Sequence, residues 1–318
     1  IKKRYLIGTV GASGASEYVR ERRFQQALLG DKFMKRAPIL LAVALALVLG
    51  AVSSFAQDFD ALKKTSTYPG QVGEWFGFEL HDFQFQDRAA KLVFPKEAAH
   101  GNPWIWRARF FGHEPQFDVA MLTKGYTLAY IDSAPLMGSP KSVQLWQDFY
   151  TYLRGEFKLS KTANLEGMSW GGLYTTNWAF AYPDQVATIY IDNPVLDFKS
   201  WPGGFGKGGR SDSDWASVLS SYELTEEEAL AYDKNPVDNE EGCKKLAEHG
   251  VGILLVCGDA DTVVPGDENW KPFKELYESV GGPIELILKP NQDHHPHSLP
   301  DPTPIVQFVE KFDKTPLQ

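Results

Sequence analysis

The chain of 318 residues is poor in cysteine, with only Cys243 and Cys257. Two cysteines cannot build the disulfide framework of a small stapled fold, so stability has to come from a hydrophobic core. Cys257 stands in the apolar stretch GILLVCGD and reads as a buried free thiol; pairing with Cys243 is compatible with an oxidising compartment but is not demanded by the spacing. Positive charge is also scarce, 32 Lys and Arg against 41 Asp and Glu. That balance offers no basic footprint for nucleic acid or an anionic membrane. Internal repeats and long low-complexity linkers are absent. Five glycines fall between 203 and 209, yet no Gly-Lys-Ser/Thr stands at phosphate-loop spacing and no G-x-G-x-x-G leads from a strand into a helix.

One long apolar run is present, APILLAVALALVLGAV, behind Met34-Lys35-Arg36 and ahead of Ser54-Phe55-Ala56. A short basic start, an apolar centre and small residues at −3 and −1 describe an export signal over 34–56, cleaved before Gln57. An uncleaved anchor is the competing reading, since the run approaches the ~20 residues that span a bilayer. No cysteine follows the cleavage point, which argues against a lipoprotein. Residues 1–33 then read as an upstream non-native segment. The remaining part, 57–318, keeps 23 basic against 38 acidic residues and has the size of one α/β domain.

From Glu74 onward, strand-like and helix-like stretches alternate. WFGFELHDFQFQ has the period-two pattern of a strand pair; AAKLVFP, YTLAYID, ANLEGMS, VATIYIDN, VGILLVCGD and IELILKP read as further strands. FDVAMLTKG, SVQLWQDFYTYLRGEF and GGLYTTNWAFAYP carry helical spacing, as do segments near 269–280 and 303–312. This alternation predicts a mostly parallel sheet with helices on both faces. Residues 197–240 form a polar insertion after the sixth expected strand, read as a lid above the sheet.

The chemistry centres on LEGMSWGGL, where Ser169 sits between Gly167 and Gly171 at a strand-to-helix junction. Glycines there permit close helix–strand packing, and they equally permit a strained turn that exposes a nucleophile. A serine hydroxyl is weakly nucleophilic and needs a base and an orienting acid. Asp261, in GDADTVVP after a buried strand, is the candidate acid, and Asp259 a turn former. His294, the first histidine of DHHPHS after the last strand, is the candidate base, with His295 in reserve. The Trp170 backbone N–H is one candidate oxyanion donor; the second is expected in KEAAHGNPW, after AAKLVFP. The run His-His-x-His lacks further ligands at zinc spacing, so neither a metal nor a cofactor is expected.

The ordered set GMSWGG, GDADTVVP and HHPHS resembles the α/β-hydrolase superfamily over about residues 75–315. FPKEAAHGNPWIWRARFFG together with HHPHSL is similar to exported bacterial α/β-hydrolases associated with polysaccharide breakdown, among them carbohydrate esterases such as pectin methylesterases. The resemblance implies an α/β-hydrolase fold and a secreted serine esterase acting on carbohydrate esters. That subgroup often has Arg where Trp170 stands and Gly where Asp293 stands. Trp104, Trp106 and Trp201 are placed in loops around the site, where indole faces would stack on sugar rings; packing is the alternative. Arg107 and Arg109 are candidates for a uronate carboxylate, or plain surface charges. A peptidase of the same fold and a silent carbohydrate-binding homologue remain the competing functions. Oligomeric state is not legible.

Overall fold

The computed structural model of the chain describes residues 59–315; the expected upstream segment (1–33) and export signal (34–56) lie outside the described residues. No helix among the described residues is long and apolar enough to cross a membrane.

Three antiparallel strands begin the sheet: β1 (Gln71–Trp75), β2 (Phe78–Phe85) and β3 (Arg88–Phe94). Their hairpins turn on residue pairs with positive φ, Phe76 and Gly77, then Gln86 and Asp87. Such turns follow the natural twist of paired strands. Six parallel strands follow: β4 (Trp104–Ala108), β5 (Thr127–Ile131), β6 (Ala163–Met168), β7 (Val186–Asp192), β8 (Gly252–Gly258) and β9 (Ile284–Lys289). The order is β1-β2-β3-β5-β4-β6-β7-β8-β9, with β3 antiparallel to β5. This is the α/β-hydrolase fold.

After β1 the α-helices among the described residues are α1 (Gln116–Thr123), α2 (Pro140–Phe157), α3 (Gly171–Ala181), α4 (Asp212–Tyr222), α5 (Glu226–Leu230), α6 (Glu240–Glu248), α7 (Trp270–Ser279) and α8 (Thr303–Phe312). Neighbouring residues of one strand join different cores, because side chains alternate across a sheet. Trp104 and Trp106 pack with Trp146, Phe149, Trp178 and Phe273 on the face covered by α2, α3, α6 and α7. Ile105 packs with Phe117, Met121, Ile305 and Phe308 on the face covered by α1 and α8. The Trp106 and Trp146 rings stack with centroids 4.2 Å apart. Truncating an aromatic residue in such a position costs about 3–5 kcal/mol.

The insertion follows the seventh strand, not the sixth. WIWRA, read as loop, is strand β4, buried at all five positions. A strand covered on both faces shows no polar alternation, and its arginine suggested a surface. The insertion is packed rather than loose: Trp215, Val218, Tyr222 and Ala229 join the larger core. Tyr222 Oη donates to Met137 O and accepts from Asn177 Nδ2. Ser211 caps α4, and Thr225 with Glu228 forms a capping box on α5, so each short helix carries its own start signal.

Candidate active site

Parallel strands end together. Met168 of β6 pairs with Asp192 of β7, Asp192 with Val256 of β8, and Gly258 of β8 with Lys289 of β9. The loops after β6, β7, β8 and β9 therefore leave the same rim, the carboxyl end of the sheet, where open α/β folds place their ligands.

Ser169 occupies the turn between β6 and α3 with φ +50°. Its N–H donates to Asp192 O at 2.9 Å and its carbonyl accepts from Val195 N at 2.9 Å, so β7 clamps the turn from one side. The glycines around it are needed for close approach. A Cβ on Gly167 would meet Gly171 O at 2.6 Å; on Gly171, Ala108 O at 3.0 Å; on Gly172, Pro194 Cβ at 2.6 Å. Tight packing and a strained serine are thus one arrangement: only bare glycines let α3 come near enough to hold Ser169 in a left-handed conformation that its own side chain disfavours.

His294 Nε2 lies 3.0 Å from Ser169 Oγ, and His294 Nδ1 lies 2.7 Å from Asp261 Oδ2. A carboxylate can only accept, so Nδ1 carries the proton and Nε2 presents its lone pair to the serine hydroxyl. The other oxygen of Asp261 accepts from Val263 N at 2.9 Å and Val264 N at 2.8 Å. The two side chains of this pair are 8% and 2% exposed, so water does little to screen them. Asp259 keeps the role of a turn former, accepting from Asn291 N at 2.6 Å. Asp293 ties the loop that carries Asp261 to the loop that carries His294: its Oδ1 accepts from Thr262 N and from His294 N, both at 2.8 Å. The backbone N–H of Thr262, then that of His294, holds the Asp293 carboxyl below the usual carboxylate range.

Two groups missed in the sequence complete the support. Asn193, with φ +41°, donates from Nδ2 to His294 O at 2.8 Å and accepts from Gly258 N at 2.7 Å. It joins the ends of β7 and β8 to the loop that carries His294. Asp192, fully buried, accepts from His297 Nδ1 at 2.9 Å, Ser298 N at 2.9 Å and Lys289 Nζ at 3.1 Å. Burial pushes the His297 and His295 imidazoles below the ordinary histidine range. His295, the reserve base, is exposed and stands beside His113 and His297, whereas His294 holds the serine.

Several expected substrate contacts are corrected. Trp104 and Trp106 are strand residues with no exposed surface, stacked on one another inside the core. Arg107 is buried as well, donating to Asp118, to Glu166 at 3.0 Å and to His113 O. Burial pushes the Glu166 carboxyl well above the usual carboxylate range, against the pull of Arg107. Trp201 is half-buried in the insertion, against the larger core. The stretch 96–104 cannot supply an oxyanion donor. It follows β3, which runs antiparallel to β5 and so to all six parallel strands, and therefore lies at the amino end of β4, across the sheet from Ser169. The turn that does reach the rim follows β4. Ala108 pairs with Gly167, and the next residues, Arg109 and Phe110, have φ of +65° and +48°. The view that the late histidines lack a partner elsewhere is also corrected, since His113 lies beside them.

No family model matches the chain, and no curated protein matches its sequence. Solved structures do. A puromycin-hydrolysing peptidase of Mycobacterium tuberculosis superposes with a TM-score of 0.54 and 13% identity, over 76% of this chain and 37% of that one. The S-formylglutathione hydrolase of Agrobacterium tumefaciens gives 0.54 and 14%, over 76% and 99%. A cold-adapted esterase from an Arctic intertidal metagenomic library gives 0.51 and 10%, over 78% and 98%. The chain spans 36% to 41% of the length of the three peptidases in this group. At such identities the likeness is one of fold, shared by peptidases and esterases alike.

Proposed function

We propose that the chain is a serine hydrolase that cleaves carboxylic esters through an acyl-enzyme, acting on esters carried by carbohydrate. The observation that carries the hydrolase reading is the relay of 2.7 and 3.0 Å from Asp261 through His294 to a serine held at positive φ. In this reading Ser169 Oγ attacks the ester carbonyl while its proton passes to His294 Nε2. The imidazolium is stabilised by Asp261 and returns the proton to the departing alcohol; water then repeats the cycle on the acyl-serine. The oxyanion falls at the start of α3, where the Trp170 N–H makes no hydrogen bond to protein among the described residues and the helix dipole is positive. The Arg109–Phe110 turn supplies the second donor.

The carbohydrate part rests on the similarity of HHPHSL and its upstream stretch to exported esterases, and no longer on Trp104, Trp106 or Arg107. Arg109 takes over the role of rim cation. Half-buried and held by Ala134 O at 2.7 Å, it stands one residue beyond the strand position opposite Gly167, in reach of a uronate carboxylate. The same reading takes 34–56 as an export signal, which N-terminal sequencing of exported material checks by finding Gln57 first.

A second reading, a peptidase, is favoured by the superposition on peptidases. One comparison separates the readings: p-nitrophenyl acetate and acetylated or methyl-esterified polysaccharide on one side, aminoacyl anilides on the other. Turnover of the esters alone, with release of acetate or methanol, supports the proposal; turnover of the anilides alone overturns it. Ser169→Ala is expected to lower kcat by about 10⁴-fold or more, the scale for loss of a triad nucleophile. Equal activity of Ser169→Ala and wild type would remove the nucleophile itself.

A further inference from the structure

We propose that His113, His295 and His297 form a binding site for a divalent transition-metal ion of the zinc class, on the same rim as Ser169 and beside its relay, the rings of His295 and His297 standing 5.1 and 5.0 Å from that of His294. One ligand nitrogen from each imidazole lies within 4.8 Å of the other two. The rings do not stack. His295 and His297 meet at 79° with centroids 4.7 Å apart, His113 and His297 at 83° and 5.8 Å, His113 and His295 at 89° and 6.0 Å. Three imidazoles bound to one tetrahedral ion at ~2.0 Å would set their centroids about 5 Å apart. Ligand nitrogens on such an ion lie about 3.3 Å apart, so the exposed rings of His113 and His295 would move inward on binding from the 4.8 Å envelope that they share with His297.

The protonation pattern suits a metal. Asp192, engaged by Lys289 and by Ser298 N, accepts from His297 Nδ1. The Nδ1 proton is therefore fixed, and Nε2 keeps a free lone pair. A carboxylate behind a ligating imidazole is the usual outer partner of a bound zinc, setting both its tautomer and its ring orientation. Neither ring of His113 or His295, nor Nε2 of His297, is hydrogen-bonded to protein among the described residues. The backbone of His113 is also held: its N–H donates to Phe110 O at 3.0 Å, and its carbonyl accepts from the buried guanidinium of Arg107. Of the charged neighbours, the Asp192 carboxylate stands directly behind His297, and Lys289 is held by that carboxylate and by Pro296 O.

Three nitrogen ligands leave a fourth position open, for water or for an anionic oxygen of the substrate. A bound ion would also join the turn after β4 to the loop that carries the base. The site is independent of the hydrolase reading, and so is its test. Protein freed of any affinity tag and stripped with a chelator is titrated with Co²⁺ and with Zn²⁺, following the visible bands of tetrahedral cobalt, metal content and thermal midpoint. One ion per chain is expected in wild type and equally in Ser169→Ala, with a midpoint that rises with zinc concentration. His113→Ala and His295→Ala, both at exposed positions, are expected to keep the circular dichroism of the fold and to lose at least a hundredfold in affinity. Binding of less than one ion per chain to wild type overturns the site. So does an affinity that His113→Ala and His295→Ala leave unchanged.

Discussion

Asn193 shows what one side chain does for the geometry around His294. Its amide spans three chain segments and is buried, so removing it orphans the Gly258 N–H and the His294 carbonyl at once. Each buried polar group left without a partner costs about 1–3 kcal/mol. Its φ of +41° adds a further penalty for alanine, because asparagine tolerates the left-handed region better than most residues. Asn193→Ala is expected to lower the thermal midpoint and to reduce kcat about tenfold with little change in KM, since His294, the proposed base, loses its backbone anchor rather than the substrate its pocket. Steady-state kinetics beside a melting curve check this. An unchanged kcat would mean that Asp293 and Asp261 position His294 without help.

Among the elements, β4 and the insertion carry opposite electrostatic lessons. Arg107 in β4 is 1% exposed and faces two carboxylates that are fully buried. Taking the cation away leaves Asp118 and Glu166 together in a dry interior, a change that typically costs about 3–5 kcal/mol. Arg107→Leu is expected to lose that much by urea unfolding, and Arg107→Leu with Asp118→Asn and Glu166→Gln to recover part of it. In the insertion, Asp197 lies near Lys199, Asp238 and Glu268, and burial raises its carboxyl from 3.8 to about 6. A raised carboxylate pKa means that the folded state holds the proton more tightly than the unfolded chain. Its favourable contribution is therefore complete below pH 3.8 and is lost as the pH rises through about 6. Asp197→Asn, which stays neutral, is expected to gain thermal stability over wild type progressively between pH 4 and pH 7. Parallel melting curves across that range check the sign.

For the molecule as a whole, the two thiols report on compactness. Cys243 and Cys257 are free and buried, in α6 and β8. The disulfide that an oxidising compartment would have allowed is not made. Burial pushes the Cys243 thiol up to about 12 and the Cys257 thiol well above its ordinary range. Reaction with a disulfide reagent such as DTNB needs thiolate and access. Neither thiol is expected to react in the folded protein, both in guanidinium, and reductant is expected to leave the melting temperature unchanged. Fast labelling of one thiol under native conditions would show that its element opens locally.

The fold class and the hydrogen-bonded trio were legible in the linear chain because both depend on local pattern. Apolar runs of strand and helix length alternate, and each member of the trio follows a strand within a few residues, so chain order alone brings Ser169, Asp261 and His294 to strand ends. What lies between faces and rims was not legible. WIWRA looked like an aromatic, basic loop, since a strand buried on both sides shows no alternation and a buried arginine is recognised only by the distant carboxylates that neutralise it. The place of 96–104 depended on β3 running against its neighbours, a fact of pairing and not of residue type. His113 came to lie beside His295 and His297 for the same reason: nearness in space between distant stretches of chain is decided by tertiary packing alone.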